Sequence, residues 1–164
     1  MTESARQKRN QDRLLECYPT FRRRVSMVIA RLEALGYRPR IQEAWRSPQE
    51  QHAAYMAGTS KLKYGFHNVT GRDGVMESLA VDLLDDDHPL APPIPYCLVL
   101  AAIARKYQCE TGILWGLPDR LAQSVNEAIA AKDWFRTVKV GWDPLHFQPS
   151  DLTISEAKAG KRPG

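Results

Sequence analysis

Cysteine is scarce in this sequence. Cys17, Cys97 and Cys109 are an odd number and show no CxxC spacing. That argues against a disulfide framework and against a cysteine metal site. Cys17 and Cys97 fall in apolar helical patterns and read as small core residues. No run of 18 apolar residues occurs, so no segment reads as a membrane-spanning helix. The opening MTESARQKRNQDR has no apolar signal-peptide core. The chain is therefore expected to be made as a cytosolic protein, with any target beyond the membrane reached only after release. There is no internal repeat.

What is present fits one domain. A chain of 164 residues with 43% hydrophobic and 26% charged content can bury a sizeable core. A monomeric domain over residues 1–150 is expected, with residues 151–164 as a flexible tail. The net charge of +4 is unevenly spread. Arg6, Lys8, Arg9, Arg13, Arg22, Arg23 and Arg24 face only Glu3, Asp12 and Glu16, and residues 25–164 balance. The basic segment 1–18 and its continuation suit either an anionic polymer or a solvated helix face, and the second is the plainer reading.

Periodicity organises the rest. Tyr18, Phe21, Val25, Val28, Leu32 and Leu35 form one helical stripe, opened by Pro19 and stopped by Gly36. Tyr37 to Arg46 reads as a strand, and Ser47-Pro48-Gln49-Glu50 as a capping box for a helix to Ala57. Residues 58–77 look like a long loop. Ser78 to Leu84 reads as a buried strand, 95–107 and 118–132 as helices, and Val138 to Gln148 as one or two short strands. Helices and strands without regular alternation predict an α+β fold.

Histidine is nearly as rare as cysteine, and the four residues differ in context. His52 sits inside a helix and His88 in an Asp/Pro turn, so both read as solvated. His67 follows Gly65-Phe66 in the long loop, and His146 lies between Trp142 and Phe147. Either suits a structural role as well as a ligand role. Asp82 is sharper, because a carboxylate in the apolar run Leu79 to Leu84 is costly unless it is paired or binds a metal. An arginine partner would also satisfy it. Two histidines and one carboxylate form a ligand set for catalytic zinc, with one position left for water. Asp143 lies three residues before His146, and a bend at Pro144 would turn both into one pocket. Arg46 stands where a strand gives way to a helix, a usual place for a functional side chain.

Four pieces of the chain resemble one family in order. They are Trp45-Arg46-Ser47-Pro48-Gln49-Glu50-Gln51, Phe66-His67-Asn68, Ser78 to Leu83, and Trp142-Asp143-Pro144-Leu145-His146-Phe147-Gln148. Over roughly residues 20–150 the chain resembles the zinc D-Ala-D-Ala carboxypeptidase and L-alanyl-D-glutamate endopeptidase family. That family includes vancomycin-resistance D,D-peptidases and phage endolysins, and it shares its fold with the signalling domain of Hedgehog proteins. The resemblance implies a small antiparallel sheet with flanking helices and a single catalytic Zn2+ held by His67, Asp82 and His146. It implies Asp143 as general base and Arg46 as the holder of the substrate carbonyl and its oxyanion. One departure stands out. His67 and Asp82 are fifteen residues apart, where the family often has seven. The insert Thr70–Glu77 is then either a longer loop or a source of rival ligands in Asp73 and Glu77.

The expected function is hydrolysis of a stem-peptide amide in bacterial peptidoglycan, as an L-alanyl-D-glutamate endopeptidase of a phage or prophage. Removal of terminal D-Ala is the alternative within the class, with Lys61, Lys63 or Arg72 as the cation for a free carboxylate. A non-catalytic zinc-stabilised binding module is the alternative outside it. No specific nucleic-acid partner is expected. Such an enzyme would be synthesised in the bacterial cytoplasm and act on the wall after holin-type release or lysis.

Overall fold

A capping side chain or a proline opens each α-helix in the computed structural model, which describes residues 1–164. Helix α1 (Glu3–Leu14) is capped by Thr2. Proline stands in the first turn of α2 (Pro19–Ala34) and of α3 (Pro48–Met56), and the Ser47/Glu50 capping box is formed. Helices α4 (Ile94–Lys106) and α5 (Asp119–Ala131) follow Pro93 and Pro118, and Thr153 caps α6 (Ile154–Lys158). Strands β1 (Pro39–Glu43), β2 (Val81–Asp85), β3 (Cys109–Gly112) and β4 (Asp143–Pro149) form one antiparallel sheet in the order β1-β2-β4-β3. The architecture is α+β, with six helices around this small sheet.

The α2 stripe lies where its spacing predicts as far as Leu32, but Leu35, at the C-cap, is exposed. Phe21, Val25, Val28 and Leu32 are fully buried against Ile41, Leu83 and Phe147 of the sheet and Leu100 of α4. Each such side chain contributes about 1.5–3 kcal/mol of burial free energy. A second cluster joins Leu98 and Ala101 of α4 to Val125 and Ala128 of α5 and to Ile113. All three cysteines are free and buried. Strand β3 and helix α6 have no counterpart in the periodicity reading. Both are too short for a period to show.

The basic N-terminal segment is used inside the fold. Helix α1 lies along the outer edge of β1, where its side chains meet backbone groups. The Asn10 amide donates to Pro39 O (2.9 Å) and accepts from Ile41 N (2.8 Å), as a neighbouring strand would. Arg6 donates to Pro39 O, and Arg9 donates to the carbonyls of Ile41 and Gln42. Arg22 donates to Leu14 O, Arg13 pairs with Glu16, Arg24 with Asp151 and Lys8 with Asp12. Of the seven basic residues only Arg23 has no partner within the fold.

The expected flexible tail packs onto the body in this structure. Leu152 and Ala157 are buried, Asp151 pairs with Arg24, and Arg162 pairs with Glu77 at 2.6 Å. The cause is a set of ion pairs with partners far upstream, which the tail's own polar composition hides. No helix is long and apolar enough to cross a membrane.

Candidate metal centre

Strand register brings two of the proposed ligands together. Asp82 of β2 and His146 of β4 are directly opposed residues in neighbouring central strands, so their side chains share one face. Phe147, one residue on, points the other way and packs against Phe21 in the core. His67 arrives from outside the sheet. It sits in a one-turn 3-10 helix, Phe66–Asn68, clamped by Leu79 N to Phe66 O and Arg46 N to His67 O. Asn68 adds a bond from its amide to Arg46 O.

The fifteen-residue gap is absorbed by an excursion. Glu77 N donates to Val69 O and Gly71 N to Val75 O, so the chain leaves after Val69 and returns beside its departure point. Asp73 sits at the exposed tip, with φ of 59°, and Glu77 is engaged by Arg162. Neither insert carboxylate joins the cluster. His67 and His146 each place a ring nitrogen 3.5 Å from Asp82 Oδ1. One ligand atom from each of the three residues lies within 4.8 Å of the others, close enough to hold a metal ion.

The donor set fits zinc in chemistry as well as spacing. His67 Nδ1 lies 2.5 Å from Ala44 O, which can only accept, so that nitrogen carries the proton and Nε2 faces Asp82 with its lone pair. His146 Nε2 lies 2.8 Å from Gln148 Oε1, which leaves Nδ1 facing the same carboxylate. Burial pushes the Asp82 carboxyl up, but the two imidazoles outweigh it and hold the group well below the usual range. Burial also works to lower the His67 imidazole, and the negative charge of Asp82 beside its Nε2 outweighs that and raises it. The cluster is thus built to keep Asp82 charged.

Asp143 reaches the same place through a bulge. Thr111 pairs with Phe147, yet the next residue, Gly112, pairs with Asp143. Three residues of β4 are therefore looped out between those pairs, which turns Asp143 and His146 the same way. Asp143 Oδ2 lies 4.0 Å from His146 Nδ1. Burial and the charge of Asp82 raise the Asp143 carboxyl, offset in part by the two histidines. Gly112 makes the approach possible. A Cβ there would overlap the Asp143 carbonyl oxygen and lie 2.8 Å from Trp115 Cε3. Gly141 fits as tightly, since its Cβ would stand 2.6 Å from Gly112 O.

Arg46 enters from the other wall. Its Nε and Nη2 donate to Glu43 (2.8 and 2.6 Å), and its Nη1 donates to Gln51 Oε1 at 2.8 Å. Glu43 raises the guanidinium pKa further, so the charge is permanent. Five N–H groups less these three leave two for a ligand. Gln51 in turn donates to Ser60 Oγ and Leu62 O, tying Arg46 to the loop at the mouth.

These side chains share a cleft of about 620 Å³ lined by Arg46, Lys61, His67, Asp82, Trp142, Asp143 and His146. Trp115, in none of the motifs the sequence offers, forms its aromatic wall. Its ring centroid lies 5.0 Å from that of His146 and 5.2 Å from that of Trp142. The backbone bonds from Gly141 N to Ile113 O and from Trp142 N to Trp115 O fix that stack. Only the spacing of glycine and tryptophan, Gly112…Trp115 and Gly141-Trp142, signals it in sequence. Of the three candidate cations, only Lys61 lines the cleft, with its ammonium 5.5 Å from the Trp142 ring. Lys63 lies over Tyr55, and Arg72 is on the exposed excursion. His52 is exposed, and His88 contacts Asp85 away from the cluster. No family model, curated protein or solved structure matches this chain.

Proposed function

We propose that this protein is a zinc-dependent peptidoglycan peptidase on the Hedgehog/D,D-peptidase fold, cutting a stem peptide as an L-alanyl-D-glutamate endopeptidase of the endolysin type. The observation that carries the reading is the meeting of His67, Asp82, His146, Asp143 and Arg46 in one cleft from four separate stretches of chain. A fold has no need of that meeting, and metal-assisted amide hydrolysis needs all five.

His67, Asp82 and His146 would hold the ion. When bound, zinc supplies Lewis acidity, which polarises a carbonyl and makes water acidic enough to attack near neutral pH. The remaining chemistry belongs to the chain. The Asp143 carboxylate takes the proton of the attacking water and returns it to the leaving amine nitrogen. Its raised pKa suits both transfers, since the group must be a fair base first and a fair acid later. The two free N–H groups of Arg46 donate to the scissile carbonyl oxygen as negative charge builds there, an effect worth about 3–4 kcal/mol per donor. Glu43 and Gln51 hold that guanidinium before substrate arrives. Trp115 and Trp142, tilted to one another, offer an aromatic wall for the peptide.

Lys61 at the cleft favours one second reading, a carboxypeptidase that grips a free terminal carboxylate. A zinc-stabilised binding module is less well supported, because a structural ion takes four protein ligands and the cluster brings three. Gently purified protein should contain one zinc per chain, and chelation should abolish release of peptides from purified peptidoglycan. Mass spectrometry of the products separates an L-Ala–D-Glu cut from release of D-Ala. Asp143→Ala should keep the metal and lose at least about 100-fold in rate. Full activity in the zinc-loaded variant would remove Asp143 from its role, and activity indifferent to chelation would sink the zinc reading.

A further inference from the structure

We infer that Glu110 and Gln148 form a polarised side-chain relay that fixes the tautomer of His146 and thereby tunes the affinity of the metal centre. The inference rests on the metal-centre reading above and adds two positioning residues to it.

Strand geometry sets up the relay. His146 and Gln148 are two residues apart on β4, so they share its face. Glu110 is the cross-strand partner of Gln148 in β3. The three side chains therefore form a row that begins at the cluster and ends at an exposed carboxylate. His146 Nε2 lies 2.8 Å from Gln148 Oε1, and Gln148 Nε2 donates to Glu110 Oε1 at 2.9 Å.

The row has a direction. An amide can present either its oxygen or its NH2 to a neighbour, and its two ends are nearly isosteric. A carboxylate is only an acceptor, so Glu110 draws the NH2 towards itself. The amide oxygen is then left facing His146. An oxygen there requires a proton on Nε2, and Nδ1 keeps its lone pair for the metal. With the amide reversed, its NH2 would meet Nε2, the proton would move to Nδ1, and the coordinating position would be blocked. His67 needs no such help, because its partner is the Ala44 carbonyl, a backbone group that cannot reverse. Second-sphere partners of this kind typically change metal affinity by about 10–100-fold when removed.

The test reads zinc affinity by competition with a chromophoric chelator, with the unfolding midpoint of the metal-free protein as a control for folding. Gln148→Leu removes the acceptor and should weaken binding by about 10–100-fold. Glu110→Lys is the sharper variant. It lies on an exposed side chain of the edge strand, and its ammonium should draw the amide oxygen away from His146 and weaken binding in the same direction. The double variant E110Q/Q148E restores a donor at 110 and an acceptor at 148, and should recover the parent affinity. In the metal-free parent, nitrogen-15 NMR in mildly alkaline buffer should find the His146 proton on Nε2. Binding as tight as the parent's in both Q148L and E110K overturns the relay while leaving the metal reading intact. A proton on Nδ1 of His146 does the same. A parent that takes up no zinc overturns both.

Discussion

The Asp82 carboxylate is contacted by two imidazoles and by no arginine or lysine. Arginine or lysine at those positions would satisfy the carboxylate outright and leave it nothing to offer a metal; imidazoles hold it charged and remain donors themselves. That is why the residue stands out in sequence, as a carboxylate in an apolar run. Its partners are legible for a related reason, since only four histidines exist and two of them sit in solvated contexts. Trp115, Gln148 and Glu110 are not legible in the same way, because their meaning lies in what they face across the sheet. The cysteines make the opposite case. Burial pushes the thiols of Cys17, Cys97 and Cys109 up to about 12, the bland role that apolar surroundings predict for Cys17 and Cys97. Native protein at neutral pH should therefore resist iodoacetamide at all three, and denatured protein should take up three labels. Rapid labelling of the folded chain would contradict that burial.

At the level of elements, the decisive piece is the shortest strand. Strand β3 spans Cys109–Gly112, a four-residue Cys-Glu-Thr-Gly segment with no period to detect. Yet Gly112 lets the Asp143 backbone come close, and the bulge beside it turns Asp143 towards His146. Gly112→Ala should cost about 1–3 kcal/mol in unfolding free energy through overpacking. It should also lower the hydrolytic rate by more than the stability loss explains, with zinc content retained, because Asp143 moves and the three ligands do not. Thermal unfolding beside metal analysis and a peptidoglycan assay decides this; an alanine variant equal to the parent in both would show that the close approach is dispensable. The 70–77 excursion teaches a related lesson. A gap counted along the chain says little when backbone bonds at Val69 and Glu77 close it.

Across the whole molecule, long-range ion pairs fasten the two ends to the middle, and these are what the sequence conceals. Arg24 makes a two-pronged contact with Asp151 at 2.8 Å, joining α2 to the start of the C-terminal segment. Arg24 holds the Asp151 carboxyl below the usual carboxylate range, so the folded state binds that proton less readily than the unfolded state. The pair's contribution is therefore full above the unfolded value of about 3.9 and is lost as pH falls through it towards the lowered native value. Partial exposure limits it to about 1 kcal/mol. Asp151→Asn should lower the midpoint of urea unfolding at neutral pH by a matching amount. Between neutrality and about pH 3 the variant should then lose less stability than the parent. Equal acid sensitivity in both would assign the loss to other carboxylates.

The helix laid along β1 has one more consequence. A strand whose outward amides and carbonyls are already taken by Asn10, Arg6 and Arg9 cannot recruit the strand of another molecule. The basic segment at the start of the chain thus closes one edge of the sheet, that of β1. A chain shortened past Asn10 would carry an open hydrogen-bonding edge into solution, and its first defect would be stickiness before any loss of chemistry.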